Sequence, residues 1–280
     1  MTSSVSPTDA SPTVDACARA LADMREQGPL VQCLTNIVVA NWTANVLLAS
    51  GAAVAMVDNP HEAGEFAAVA GAVLVNLGTP QDATVEAMER AVGSASKAGT
   101  PWVLDPVAAG ALTWRTETGR RLMSLAKPPR ILRGNASEIL GLAGGAGGRG
   151  VDSTDTVDAA LQAAQDLAHR YGCVVAVSGE VDHLTDGERL VRVHNGHPWL
   201  TRVTGVGCSL GALMGAFAAS ADDALLAAAA ATGLLTVAAD AAAEQAQGPG
   251  SFAPALLDHL FSLTPEQLAD RLRLDDGSPR

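Results

Sequence analysis

Short apolar runs alternate with longer helical patterns along most of the chain, and this alternation restricts the possible folds more than any other feature. The runs are rich in Val, Leu and Ile, as expected of strands that are covered on both faces. Repeated strand-then-helix order predicts a mostly parallel sheet between two helix layers, a three-layer α/β/α sandwich. The predicted strands are residues 30–34, 53–57, 72–77, 102–105, 130–133 and 173–178.

The segments between these runs carry apolar residues at helical spacing. Late in the chain, residues 183–193 turn at Asp186-Gly187, a dipeptide typical of a small β-hairpin. The last predicted helix begins after Thr264, which forms a capping-box pattern with Gln267 three residues later. The other predicted helices are residues 41–49, 61–70, 82–98, 136–142, 154–170, 209–219 and 222–247.

Composition excludes several classes of protein. The chain has 280 residues, and 48% of them are hydrophobic, which excludes a disordered chain. The net charge of −12 argues against nucleic-acid and anionic-membrane partners, since both are polyanions. Four widely spaced cysteines without a Cys-x-x-Cys pair favour reduced thiols in a cytoplasmic protein. We expect a disordered lead over residues 1–12 and a single domain over residues 13–280.

Polar residues and glycines directly follow the predicted strands. Asn36, Asn76, Asp105, Asn135 and Ser178 each stand at or just after a strand end. In a parallel sheet the carboxyl ends of the strands share one edge, and ligands bind there. The sequence therefore predicts a polar ligand site along this edge.

The segment 204–209, Thr-Gly-Val-Gly-Cys-Ser, immediately precedes a predicted helix. Its two glycines allow a ligand close to the backbone, and the helix start offers unpaired N–H groups with a partial positive charge. Such an anion hole suits a phosphoryl group in transfer. No P-loop sequence is present. Residues 145–150 match G-x-G-x-x-G but follow a helical pattern instead of a strand, so the dinucleotide-binding context is missing, and we interpret them as a flexible loop.

Ordered matches across roughly residues 30–260 resemble the hydroxyethylthiazole kinases, a family of the ribokinase-like superfamily. Cys208 discriminates among the related families, because sister sugar and pyrimidine kinases usually carry Asp at this position. The matching segments are residues 35–41, 43–45, 51–56, 76–79, 104–107, 133–138, 178–182, 194–197, 203–208 and 248–252.

The resemblance implies a ribokinase-like fold and transfer of the ATP γ-phosphate, with Mg²⁺, to the primary alcohol of 4-methyl-5-(2-hydroxyethyl)thiazole in thiamine synthesis or salvage. It also implies a homotrimer with active sites at subunit boundaries. For catalysis it implies Cys208 beside the acceptor alcohol, next to an anion hole shaped by Gly205 and Gly207. A helix start lowers a thiol pKa, so Cys208 could help to take the alcohol proton.

The resemblance also assigns binding residues. Met56 and the backbone of Gly205 correspond to thiazole contacts, and Arg133 and Ser178 correspond to ATP contacts. We expect Asn36 and Asn41 among the substrate-binding amides.

Three further residues point to the metal and the nucleotide. Asp105 and Glu138 are expected to hold Mg²⁺, which typically uses one or two carboxylates together with substrate phosphates. Asn135 is expected near the nucleotide, and it also forms a helix-cap pattern with Glu138 three residues later. Both roles of Glu138 hold if its metal contact runs through water.

Three other functions stay open. A hydroxymethylpyrimidine or pyridoxal kinase of the same superfamily is the nearest, although Cys208 in place of Asp argues against it. An ADP-dependent hydrate dehydratase, a lyase on the same fold, would repair hydrated nicotinamide cofactors and yield no phosphorylated alcohol. A ligand-sensing protein without turnover is the third, and the intact set of Asp105, Glu138, Gly205, Gly207 and Cys208 argues against it.

Overall fold

The structure is a computed structural model that describes residues 11–144 and 153–276. Within these residues nine strands form one sheet in the order β2-β1-β3-β4-β5-β6-β7-β8-β9. The first six pair in parallel, and the last three pair antiparallel at one edge. The strands are β1 Leu30–Leu34, β2 Ala53–Ala55, β3 Ala72–Asn76, β4 Trp102–Asp105, β5 Ile131–Asn135, β6 Val174–Ser178, β7 Asp182–Thr185, β8 Leu190–Val193 and β9 Leu274–Asp275.

Helices cover both faces of the sheet, because successive strand residues point to opposite sides. Leu74 belongs to the core cluster that contains side chains of α1, α8, α9 and α10, whereas its neighbours Val73 and Val75 belong to the one that contains side chains of α4 and α7. The helices are α1 Val14–Gln27, α2 Ala40–Ser50, α3 Ala63–Ala67, α4 Asp82–Ala98, α5 Thr113–Leu125, α6 Ala136–Ala143, α7 Ser153–Tyr171, α8 Val206–Ser220, α9 Ala224–Gln245, α10 Pro249–Ser262 and α11 Pro265–Arg271, with a 3₁₀ turn at Pro198–Arg202.

The alanine-rich helix α9 runs through the core. By length and composition alone it could cross a membrane, but 83% of its apolar window is buried inside the fold. Small side chains let α8 and α9 pack closely against each other and against the sheet. Their composition therefore reflects packing inside the protein.

The predicted three-layer α/β/α architecture is confirmed, and so is the hairpin at Asp186-Gly187. The strand predicted to end at Arg133 continues to Asn135, because β6 supplies paired partners up to that residue. The predicted helix 61–70 shortens to Ala63–Ala67, since the side chain of Asn59 accepts the His61 N–H and holds a turn there.

Three helices were missing from the prediction: α1, α5 and α10. The ends of α1 were readable, because Thr13 caps its start and Gly28 ends it in the left-handed conformation (φ +52°). Helix α5 buries few large apolar side chains, so its sequence lacks the apolar periodicity that would have indicated a helix. Residues 1–10 of the expected lead and the glycine-rich run 145–150 lie outside the described residues.

Candidate active site

A continuous row of polar side chains crosses the carboxyl edge of the parallel strands, where the sequence predicted a site. Neighbouring strand ends bring the residues together, since Asn76 pairs with Asp105 in the β3–β4 register and Asn135 pairs with Ser178 in the β5–β6 register. We call this set the polar row. It consists of Cys208, Asn36, Asn76, Asp105, Arg133 and Ser178.

Two asparagines form the half of the row that ends at Cys208. Asn36 Nδ2 donates to Asn76 Oδ1 at 2.9 Å and lies 3.7 Å from Cys208 Sγ. Asn76 Nδ2 donates to Asp105 Oδ2 at 2.9 Å, while the Gly78 N–H donates to Asn76 Oδ1 at 3.0 Å. A Cβ at Gly78 would lie 2.3 Å from Asn36 Nδ2, so only glycine fits beside this amide. The sequence pattern included Asn76 without giving it a role.

Arg133 forms the other half of the row. Its side chain is 11% exposed, and its Nη2 and Nε donate to Ser178 Oγ at 2.9 and 3.2 Å. Its Nη1 lies 3.4 Å from Asp105 Oδ2. Asp182, in β7, is close enough for the charge of Arg133 to lower the pKa of its carboxyl, and it accepts the Gly179 N–H at 3.1 Å. The charge of Arg133 thus acts on two buried carboxyl groups, Asp105 and Asp182.

Asp105 is completely buried, and its environment is mixed. Burial raises the pKa of its carboxyl to about 7, and the nearby Glu138 charge adds to this, while Arg133 and Asn76 act in the opposite direction. Its Oδ1 is buried and has no hydrogen-bond partner among the described residues. A buried carboxylate with an unused oxygen is suited to a cation, which would offset the cost of burying the charge.

Glu138 ties two loops together. Its Oε2 accepts the Asn135 N–H at 2.8 Å, and Asn135 Oδ1 accepts the Glu138 N–H at 3.0 Å, which is the predicted capping box. Its Oε1 accepts the Ala108 N–H at 2.9 Å. Among the described residues Ala108 is the one non-glycine residue with a positive φ, +64°. Both carboxylate oxygens therefore hold backbone, and a contact to Mg²⁺ through water suits Glu138 better than direct ligation.

The described residues contain no group of three or more His, Cys, Asp or Glu side chains that could hold a metal by themselves. A cation at Asp105 would thus need further oxygen ligands from water or substrate. This is the usual arrangement for Mg²⁺, which keeps several waters and binds substrate phosphates. The residues present fit that ion.

Helix α8 begins at the predicted anion hole. Gly205 caps it with φ +94°, and a Cβ there would lie 2.9 Å from Val39 Cγ1, so both the backbone angle and the packing require glycine. The first-turn N–H groups have no partners within the helix, as at any helix start. They lie beside Cys208 and the end of the polar row.

The expectation of a lowered Cys208 pKa is wrong. Burial raises the pKa of the thiol, and the neighbouring Asp105 carboxyl raises it further, against smaller opposing effects of Asn76, Arg133 and Asn36. The main cause is desolvation, which disfavours the charged thiolate. The thiol stays protonated at neutral pH.

Besides Glu138 and the two glycines at the start of α8, three predicted site residues lie outside the polar row. Asn41 is exposed in the first turn of α2, where its oxygens accept from Asn45. Met56 follows the edge strand β2 and is 38% exposed. The Asn135 side chain is engaged in the cap of α6.

A cavity of about 260 Å³ opens beside Ser178, between the end of β6 and helix α7. Its walls are mostly apolar, with Glu180 and His183 as the ionisable residues. A flat, largely apolar ring system would fit such a space. The apolar lining comes from Ala136, Ala160, Leu161, Val177 and Val181.

Comparisons with known proteins agree with this geometry. Residues 21–266 match the model of the hydroxyethylthiazole kinase family. A hydroxyethylthiazole kinase from Clavibacter sepedonicus is 60% identical over 91% of this chain and 92% of its own length, and one from Cutibacterium acnes is 53% identical over 92% and 93%.

Solved structures extend the comparison. The hydroxyethylthiazole kinase protein from Pyrococcus horikoshii OT3 superimposes with a TM-score of 0.86 at 36% identity, covering 94% of this chain and 99% of that one. Pyridoxal kinase from Bacillus subtilis, at 18% identity and a TM-score of 0.53 over 75% of this chain and 91% of its own, shares the fold alone. By sequence and structure, the chain belongs to the hydroxyethylthiazole kinase family.

Proposed function

We propose that this protein transfers the γ-phosphate of ATP to the primary alcohol of 4-methyl-5-(2-hydroxyethyl)thiazole, in thiamine synthesis or salvage. The observation that carries the proposal is the polar row, which links the thiol at the start of α8 to Ser178 beside the cavity. Such a row can hold an acceptor alcohol at one end and a nucleotide at the other. Family membership supports the choice of acceptor.

On the acceptor side, Cys208 and Asn36 would orient the alcohol. The thiol is protonated, so its contribution is contact and weak hydrogen bonding, without abstraction of the proton by a thiolate. Phosphoryl transfer has a loose transition state in which positioning and charge stabilisation supply most of the rate. A protonated thiol is therefore compatible with efficient transfer.

On the phosphate side, the first-turn N–H groups of α8 and the Arg133 guanidinium would stabilise the charge on the transferring group. Arg133 is held in place by Ser178 and Asp105, so little reorganisation of its side chain is needed. The cavity beside Ser178 would take the base of the nucleotide.

Mg²⁺, held by Asp105 and through water by Glu138, would neutralise phosphate charge and orient the phosphates. The unused, buried Oδ1 of Asp105 supports this assignment. Glu138 would act mainly by fixing the loop that follows Asp105 relative to the start of α6.

We further propose a homotrimer with active sites at the subunit boundaries. Support comes from an apolar patch at the carboxyl edge of the sheet, beside Asn36, where Ile37, Val38 and Met56 expose their side chains. Exposed apolar clusters of this kind mark contact surfaces. In this arrangement Asn41 and Met56 would reach the thiazole at the boundary between subunits.

A cytoplasmic location is part of the same proposal. All four cysteines are free, and Cys17, Cys33 and Cys173 are buried, as suits a reducing compartment. The substrates, ATP and a small polar alcohol, are also those of a cytoplasmic enzyme.

The test is a product assay with ATP and Mg²⁺. Hydroxyethylthiazole, hydroxymethylpyrimidine, pyridoxal and a blank without acceptor are incubated in parallel, and products are identified by mass. We expect a phosphorylated thiazole alcohol, formed only with the thiazole and lost when EDTA removes the metal. Transfer to another acceptor, with none to the thiazole, would contradict the proposed substrate, and dehydration of hydrated NADH with ADP would support the lyase instead.

A further inference from the structure

Gly207 is the second residue of α8, and its bare Cα faces the guanidinium of Arg133. A Cβ built on Gly207 would lie 3.2 Å from Arg133 Nη2 and 3.4 Å from Nη1. The first distance is tighter than an ordinary van der Waals contact to a side-chain methyl group, and the second is at the lower limit of such a contact. Unlike Gly205, Gly207 has no positive φ, so its backbone does not demand glycine. The three atoms nearest to an added Cβ all belong to the Arg133 guanidinium, so this group is the main obstacle to a side chain at residue 207.

Arg133 has little freedom to move away. Its guanidinium is nearly buried, donates twice to Ser178 and lies against Asp105. A shift of a few tenths of an ångström would lengthen these contacts in a region where unpaired charge is costly. One N–H on each terminal nitrogen has no acceptor among the described residues. These two N–H groups form a fork of the kind that binds phosphate oxygens in pairs.

We propose that Gly207 is a positioning residue: the absence of a side chain lets the Arg133 guanidinium lie against the start of α8. The N–H groups of the guanidinium and those of the helix start then bind the same phosphate group. The inference rests on the proposed function, because it takes the nucleotide phosphates as the ligand. The alternative explanation is that Gly207 only allows the phosphate to approach the backbone. Under that explanation, the need for glycine at residue 207 would not depend on which side chain residue 133 carries.

A double-mutant cycle separates the two explanations. Gly207→Ala adds one methyl group, and Arg133→Lys keeps the positive charge but removes the planar fork that lies over residue 207. Gly215→Ala is the matched control: it lies in the same helix, and its added Cβ would meet ordinary contacts at 3.6–3.9 Å. Alanine is favoured over glycine inside a helix, so both alanine variants should fold, and circular dichroism checks this.

Affinity for the non-hydrolysable ATP analogue AMP-PCP with Mg²⁺ is measured by calorimetry in all four combinations of residues 133 and 207. We expect G207A to weaken binding by about tenfold, the effect of one disturbed charged hydrogen bond, when residue 133 is Arg, and by less than about twofold when it is Lys. The apparent KM for ATP should rise in G207A while the KM for the thiazole alcohol stays unchanged. G215A should bind like wild type.

Equal weakening by G207A in both backgrounds would overturn the inference in favour of backbone access. Binding by G207A that matches G215A would overturn it as well. The crystal structure of G207A provides a test that needs no nucleotide. We expect the guanidinium of Arg133 to be displaced from Ser178, and an unmoved Arg133 would contradict the proposed positioning role of Gly207. If the wild-type protein binds AMP-PCP but does not phosphorylate the thiazole, the proposed acceptor is refuted, and the double-mutant cycle still tests the role of Gly207. If the wild-type protein does not bind AMP-PCP, the proposed nucleotide is refuted, and the G207A structure still tests whether Gly207 positions Arg133.

Discussion

At the scale of single residues, the site combines groups whose chemistry depends on their neighbours more than on their type. Cys208 is a thiol kept protonated by burial and by Asp105. Asp105 is a carboxyl with one oxygen that has no partner in the described part of the chain, and Arg133 is a cation held in position by Ser178. Each of these properties comes from a contact between residues far apart in the chain.

The protonated thiol leads to a prediction about catalysis. Cys208→Ala should lower kcat by less than about 100-fold, the lower limit for loss of a general base. Cys208→Asp, which places a carboxylate beside the alcohol, should be at least as active as wild type. Steady-state kinetics with both substrates test this. A loss beyond about a thousandfold in the alanine variant, with substrate affinity unchanged, would show that the sulfur is essential.

Asp182 leads to a prediction about stability and pH. Burial raises the pKa of this carboxyl to about 6, despite the Gly179 N–H and Arg133. Between pH of about 4, the unfolded value, and about 6, the folded state holds a proton that the unfolded state has lost, so the free energy of unfolding falls as pH rises. Asp182→Asn removes this penalty and keeps an oxygen for the Gly179 N–H.

Urea denaturation of the Asp182→Asn variant and wild type across this range provides the measurement. The two proteins should match near pH 4, and the variant should be more stable above pH 6 by at most about 3 kcal/mol. Asp58→Asn, a change at an exposed residue, is the control and should show no such divergence. A difference that does not vary with pH would refute burial of the charge as its cause.

At the scale of elements, the site depends on how strand ends and the loops after them are held. The strands were predictable because covered strands are uninterrupted apolar runs, and their ends pointed to Asn36, Asp105 and Ser178. The left-handed conformation of Ala108 was not predictable, since it arises where Glu138 draws the β4–α5 loop toward α6. Alanine carries no local signal for such a conformation.

Ala108 therefore provides a test of strain in this loop. A non-glycine residue in the left-handed region costs about 1 kcal/mol, so Ala108→Gly should stabilise the protein by roughly 0.5–1 kcal/mol. Ala111→Gly, in the same loop at an exposed residue without a positive φ, should destabilise it instead. Chemical denaturation of the two variants gives the comparison. Equal destabilisation by both would mean that Ala108 carries no strain.

At the scale of the whole molecule, three exposed apolar side chains lie at the edge of the sheet that carries the site: Ile37, Val38 and Met56. Ile37 is 78% exposed within this patch, whereas Val69 is 75% exposed after α3, next to the amino end of β3. If the patch joins subunits, a charge placed in it should prevent assembly. A charge at the other end of the sheet should have no such effect.

Ile37→Asp should convert the proposed trimer to monomer and lower activity in parallel, because a buried unpaired charge at an interface costs several kcal/mol. Val69→Asp should leave both unchanged. Light scattering after size-exclusion chromatography measures the mass, and the thiazole assay measures the activity. Wild-type protein that elutes as a monomer with full activity would refute the trimer and the shared site.

The sequence by itself determined the architecture, the edge of the sheet that carries the site, and most of the residues there. Apolar periodicity and strand-end residues are local properties of the chain, so they can be read without coordinates. The same holds for the cap of α6, whose two members stand three residues apart.

Only the tertiary structure decided how those residues act on one another. Asn76 joins residues from three strand ends, Cys208 is shifted toward the protonated thiol by Asp105, and Gly207 lies under Arg133. From the sequence we expected a lowered pKa for Cys208 and a role for Gly207 in shaping the anion hole. Charge, burial and steric contact act through space over a few ångströms. Cys208 and Asp105, and likewise Gly207 and Arg133, are separated by more than 70 residues in the chain, so their contacts leave no local signal in the sequence.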